Sequence, residues 1–352
     1  MLLAVGAAKL LAIALTVVPI ALATLRALWR PMCDWQFGVL AEFGMPVISA
    51  ALGAVVGFTV ALTVGAQRPI ASRVVPWLAL LATAAHGLWR FYAAPPVFSY
   101  SPLVGYFPGN LYDEDITLNA AFWWARLDAA LDARSMFTFC LWRIDLASLR
   151  MQWRGLRLSA GPRLALLVCA VTSLAVAGMR HQGGRLGYAI DASDIDSALG
   201  GRIETKHFII HYDRYAGFAD DMNLIAGDHE FRYQQVVAQF GVAPTGKIHS
   251  YYFANTAQKA RWMGARDVEM AKPWRKEIYL DHRDFPHSSL RHEIAHIVAG
   301  AAGDSLFAIS ARRVAGLPLL VNPGLIEGMA VALDWPGSYD RTQTPHQAMR
   351  VM

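Results

Sequence analysis

The feature that most limits what this chain can fold into is a set of apolar stretches, all before residue 180, cut to the thickness of a lipid bilayer. Leu2–Leu25 is apolar except for Lys9, and Met45–Ala66 carries no charge. Val74–Trp89 and Leu164–Met179 are shorter runs without acidic or basic charge. A helix needs about 20 mostly apolar residues to cross the hydrocarbon core, and about 17 is near the lower limit. All four are read as membrane helices, with Lys9 extending its stem towards an interface. No small-residue cleavage site follows a short apolar core in the first stretch, so an uncleaved span is expected there rather than a signal peptide.

Residues 1–180 therefore form an expected α-helical, multi-pass membrane region, in a chain of 352 residues that is 55% hydrophobic. Pro95, Pro96, Pro102 and Pro108, with Gly105 and Gly109, mark Ala94–Asp115 as a loop. Asn119–Arg157 mixes Trp123, Trp124, Phe137, Phe139, Trp142 and Trp153 with Arg126, Asp128, Asp132, Arg134, Arg143 and Arg150. Two readings stand for it: helices lying at the headgroup level, or an amphipathic helix packed on the spans.

Orientation follows from arginine placement. Arg143, Arg150, Arg154, Arg157 and Arg163 precede the last span, whereas Arg180 and Arg185 follow it. The positive-inside rule puts the earlier segment in the cytoplasm and everything after the last span outside. Arg26 and Arg30 agree, and Arg68 and Arg73 oppose it. The net charge of +5 is thus assigned to topology. No clustered basic stripe points to nucleic acid as a partner. Cys33, Cys140 and Cys169 lie in three different settings, which gives neither a disulfide framework nor a thiolate metal site.

Residues 186–352 are different material. His207–Tyr212 and Lys247–Phe253 read as strands, Gly217–Phe240 as a helix, and Asn255 or Thr256 as the cap of a helix running towards Trp262. Lys276–Asp281 reads as a third strand, and Ser288 or Ser289 as the cap of the helix that follows. That helix carries His292-Glu293-Ile294-Ala295-His296, an H-E-x-x-H sequence. Positions four apart share a helix face, so His292 and His296 can offer two imidazole nitrogens to one ion. Glu293 is placed to act on a water instead of the metal, as the general base of a zinc hydrolase. Zinc needs a third protein ligand. Asn322-Pro323-Gly324-Leu325-Ile326-Glu327 offers one on a helix-like stretch after a Pro-Gly turn. His207, His211 and His249 have no ligand spacing and are read as sheet residues, and His229-Glu230 lacks the second histidine of a motif.

With these two motifs the chain resembles the gluzincin metallopeptidases, the group that includes thermolysin and aminopeptidase N. It is most similar to the peptidase MA-like members, whose third-ligand helix carries an E-G-x-A core, here Glu327-Gly328-Met329-Ala330. The resemblance implies an α+β zincin domain with a small mixed sheet and an H-E-x-x-H active-site helix. It implies Zn2+ held by His292, His296 and Glu327, with Glu293 activating water and a peptide or protein as substrate. A gluzincin strand just before the motif helix pairs with substrate backbone; Lys276–Asp281 is either such an edge strand or an interior strand. Gluzincins usually continue into a closing helical subdomain that supplies a Tyr or His to the oxyanion. Here that subdomain is expected to be missing, and Tyr339 and His346 are the groups available downstream. Position 331, where thermolysin-like sites carry an Asp that orients a ligand histidine, is Val; Asp304 or Asp334 are the substitutes. Two other functions are carried forward: an intramembrane site-2-type protease, for which Ile297–Gly303 and Asn322-Pro323-Gly324 speak, and a non-catalytic membrane binding or scaffold protein.

Overall fold

The computed structural model describes residues 2–30, 34–65, 68–109, 117–145, 148, 150–155 and 159–334, with side chains from residue 14 to residue 333. The chain divides into two compact units, and the boundary falls between Asp191 and Ala192. The expected boundary at 180–186 lies too early. Arg90 bonds the Asp191 carboxylate at 2.7 Å and the Ile190 carbonyl at 2.8 Å, which ties residues 190 and 191 to the first unit.

The first unit is helical. Its helices are α1 (Leu2–Ala27), α2 (Trp35–Glu42), α3 (Ile48–Val64), α4 (Pro69–Ala93), α5 (Ala120–Arg143), α6 (Ala160–His181) and the single turn α7 (Gly183–Leu186). Helices form at all four expected spans. Among the described residues, two continuous stretches are long and apolar enough to cross a membrane: Trp35–Val64, which joins α2 to α3 through a π-helical turn, and Ala160–His181.

The stretch after Asn119 resolves in favour of packing. Helix α5 is the central helix, lying against α3 and α6, with Phe122, Ala125, Ala129, Ala133 and Cys140 buried. Most of its charged residues have partners on other elements: Arg143 donates to the Gly155 carbonyl at 3.0 Å, and Asp128 accepts from Arg180. Asn119 caps the helix through the Phe122 N–H at 3.0 Å. Gly44 is required where α5 approaches, since a Cβ there would stand 2.6 Å from the Phe122 ring. The segment read as a loop holds a short hairpin, β1 (Ser99–Ser101) and β2 (Gly105–Phe107), with Tyr100 stacked on Tyr106 at 4.9 Å. A second, two-residue pairing joins β3 (Ile144–Asp145) to β4 (Arg150–Met151). Cys140 and Cys169 are free, and Cys33 lies outside the described residues.

The second unit is α+β. Helix α8 (Ala192–Leu199) leads into a five-stranded sheet built from β5 (Gly200–Glu204), β6 (Phe208–Asp213), β7 (Ile248–Phe253), β8 (Met270–Lys272) and β9 (Glu277–Asp281). The strand order is β5-β6-β7-β9-β8; β6, β7 and β9 run parallel and the two outer strands are antiparallel to their neighbours. Helices α9 (Met222–Phe240) and α10 (Thr256–Met263) connect the parallel strands. Asn255 caps α10 through the Gln258 N–H at 2.9 Å, and a 3-10 turn at Ala219–Asp221 delays the start of α9.

Alternation along the strands sorts the sheet into two faces. Phe208, Ile210, Ile248, Tyr252, Ile278 and Leu280 form the core with Met222, Ile225 and Val236 of α9. On the other face His211, Tyr251 and Tyr279 lie in register across three strands and stack at 4.7 and 5.1 Å.

Candidate metal centre

Helix α11 (Leu290–Gly300) crosses the core face of this sheet. Leu290, Ile294, Ile297 and Val298 recur at helical spacing and are fully buried in the core, which turns His292 and His296 to the opposite side. The two imidazole rings lie 4.7 Å apart, nearly perpendicular at 80°. A hairpin of β10 (Ala311–Val314) and β11 (Leu317–Val321) then returns the chain to α12 (Pro323–Asp334). Pro323 opens this helix, and Asn322 caps it by accepting the Leu325 N–H at 3.1 Å. Helix α12 packs on α11 and presents Glu327 to both histidines.

Glu327 Oε2 stands 3.3 Å from His292 Nε2 and 3.6 Å from His296 Nε2. The three ligand atoms lie within 4.8 Å of one another, and no other group of His, Cys, Asp or Glu among the described residues converges in this way. Two neutral imidazoles and one carboxylate are a zinc donor set, and tetrahedral bonds of about 2.1 Å would space such ligands about 3.4 Å apart. The donor chemistry and the spacing both fit. The hydrogen bond from His292 holds the Glu327 carboxyl below its ordinary range, helped by His296 and opposed by partial burial. Glu293 is 4% exposed, inside the first turn of α11, whereas the Glu327 side chain is 61% exposed.

The start of α11 is fixed differently from the expected cap. Ser289 is the N-cap residue but makes no side-chain cap bond. His287 does the tying: its Nδ1 accepts the Ser289 N–H at 3.2 Å, and its Nε2 donates to the Asp281 carbonyl at 2.9 Å. One imidazole therefore links the end of β9 to the start of the motif helix. Burial pushes its pKa down to about 4, so it is the neutral ring that makes both bonds. No spacing in the sequence marks this role.

The edge-strand alternative for residues 276–281 is settled by strand order. Strand β9 is interior and buried throughout, and the edge is the three-residue β8, cut short by Pro273. Asp304 does not orient a ligand histidine: its carboxylate accepts from Arg313 Nε at 2.7 Å and from the Leu306 N–H at 2.9 Å, which shapes the turn after α11. Asp334 ends α12, with its side chain outside the described residues, as are Tyr339 and His346.

Among the described residues, no other histidine joins the centre. His207 pairs with Glu230 at 2.7 Å, His211 with Asp196 at 2.6 Å and His249 at 3.0 Å, and buried His229 bonds the Ile225 carbonyl and Ser250. Beside His296 lies a cleft of about 470 Å³, whose wall includes Phe240, Val242, Leu325 and Met329 together with Asp304 and Arg313. Comparison of the chain with protein-family models, with curated proteins and with solved structures gives no match.

Proposed function

We propose that this chain is a zinc-dependent peptidase of gluzincin type, attached to a membrane by its first unit. The observation that carries the reading is the convergence of His292, His296 and Glu327 at tetrahedral spacing, with Glu293 at the position beside the first ligand. A zinc ion bound there supplies Lewis-acid charge that polarises a peptide carbonyl and brings the pKa of water to about 7. His292 and His296 bind through neutral imidazole nitrogen, and Glu327 contributes the compensating negative charge. Glu293 takes the proton of the attacking water and returns it to the leaving amine, which makes the amine a feasible leaving group. The apolar part of the cleft beside His296 suits a bulky aliphatic or aromatic side chain next to the scissile bond.

Against the intramembrane alternative, α11 has only 11 residues and packs on a sheet, too short for a span. What speaks for a multi-pass anchor is the set of outward-facing apolar side chains on three helices: Leu15 and Leu22 of α1, Trp77 and Leu81 of α4, and Leu167 and Leu174 of α6, all at least 60% exposed. Positive-inside counting then places the second unit outside the cytoplasm.

The test is metal content joined to cleavage. The purified full chain should hold one zinc and cleave a quenched fluorescent peptide with Leu or Phe at the scissile bond. His296→Ala should lose both. Zinc retained in that variant would refute the ligand assignment, and zinc bound without cleavage of any peptide would favour a binding protein.

A further inference from the structure

The first unit contains a cavity of about 530 Å³ between α4, the β1–β2 hairpin, α5 and the segment that follows α6. Its wall includes three guanidinium groups, Arg90, Arg126 and Arg180, and a single carboxylate, Asp128. Arg126 is the unusual member. It is 1% exposed, and every partner it has is a neutral oxygen: the Gly44 carbonyl at 2.7 Å, Ser101 carbonyl at 3.1 Å, Ser49 hydroxyl at 3.1 Å and Pro102 carbonyl at 3.2 Å. Those four bonds use four of its five N–H groups and leave its charge without a counter-ion among the described residues. A buried charge in that condition is costly unless an anion reaches it.

Two further buried polar atoms in the same wall have no hydrogen bond among the described residues. Asp128 is 7% exposed; its Oδ2 accepts from Arg180 Nη2 at 3.1 Å, while its buried Oδ1 has no hydrogen bond. The buried Tyr188 hydroxyl has none either. Buried polar atoms are nearly always paired, so orphans gathered in one cavity point to a missing occupant. Arg180 also donates to Asp128 through Nε at 3.3 Å and to Asp132 through Nη2, and its Nη1 makes no hydrogen bond among the described residues. Arg90 is paired with Asp191 and Arg180 with Asp128 and Asp132, so the demand is double: negative charge for Arg126, and hydroxyl groups for Asp128 Oδ1 and Tyr188.

We propose that this cavity binds a phosphate ester carrying free hydroxyl groups, of the glycerophosphate kind, with the phosphate towards the arginines and the hydroxyls towards Asp128 and Tyr188. Arginine forks suit phosphate oxygens, and the volume lies within the range of small-molecule sites. The same chemistry occurs in a lipid headgroup and in a soluble ester, and basic pockets between membrane helices are known to take headgroups.

The full chain in detergent would be titrated with phosphatidylglycerol, phosphatidic acid and phosphatidylcholine, read by native mass spectrometry, and with glycerol 3-phosphate, read by calorimetry. Binding of phosphatidylglycerol at least tenfold tighter than phosphatidylcholine identifies a headgroup; binding of glycerol 3-phosphate alone identifies a soluble ester. Tyr188→Phe, which removes one oxygen and keeps the ring, should weaken the hydroxylated ligand about tenfold and leave phosphatidic acid unchanged. Arg126→Gln should weaken every phosphate ligand. Equal binding of all three lipids with no binding of glycerol 3-phosphate, or affinities unmoved in Tyr188→Phe, would overturn the proposal.

Discussion

Replacing Glu293 by Gln keeps the volume and the hydrogen-bonding capacity of a residue that is 4% exposed, and removes only its ability to accept a proton. The variant should retain zinc and fold while peptide cleavage falls by about 10²–10⁴, the usual worth of a positioned general base. Glu327→Gln should behave differently, losing metal affinity first, because a neutral amide is a poorer zinc ligand than a carboxylate. Zinc assay and cleavage assay on both variants separate the two roles; equal activity in Glu293→Gln and wild type would end the hydrolase mechanism. A second residue-scale effect concerns pH. Burial pushes His229 down to about 4 and His287 to about 4, while an unfolded chain titrates its histidines near 6.5. The unfolded state therefore binds more protons between those values. The stability these neutral rings contribute is complete above about 6.5 and drains away as pH falls to about 4, by up to roughly 3 kcal/mol per ring. His229→Gln should flatten that decline in urea-unfolding midpoints measured from pH 7 to pH 4. Parallel curves for the two proteins would show that His229 is not the group responsible.

At the scale of elements, the centre depends on how closely α11 approaches the turn that follows it. A Cβ at Gly300 would stand 2.7 Å from the Ala308 carbonyl oxygen and 3.0 Å from Pro273. Gly300→Ala should push the turn outward, cost about 1–3 kcal/mol as overpacking does, and loosen zinc without altering any ligand. Thermal unfolding and zinc affinity of that variant check it, and unchanged values for both would show that the turn is not coupled to the centre. Sequence periodicity carried the elements with long, regular burial: β6, β7, β9, α9, α11 and the capped α12. It missed β8, whose three residues end at Pro273, and the β10–β11 hairpin, where Ala311-Arg312-Arg313-Val314 shows no apolar alternation. Helix α5 was ambiguous because Arg126, Asp128 and Arg143 look like a solvated face; their partners lie on other elements, up to 82 positions away in the chain. The nearness of His292 and His296 was legible because a helix converts spacing of four directly into proximity. His287 and Asp304 were not, since their roles depend on where a turn brings a backbone carbonyl or an arginine.

For the whole molecule, the arginine pattern sets an expectation that the second unit lies outside the cytoplasm. Protease added to intact cells should then remove it, and a C-terminal reporter active only in the cytoplasm should stay silent; a signal from that reporter would reverse the orientation. The attachment of α12 has a consequence of its own. Ala330 is the one fully buried residue among the described residues of this helix, so apolar packing grips it weakly. An ion shared by α11 and Glu327 would act as a clasp across the 30 residues that separate His296 from Glu327. In the chain-entropy picture a tie over that length is worth on the order of 3–4 kcal/mol. Ligand linkage then makes the melting point of this unit climb with free zinc, and chelation should open the 301–322 segment to nicking. On the proposed reading, metal supply would thereby govern the lifetime of the protein, and a starved cell would clear a chain whose α12 is left unfastened.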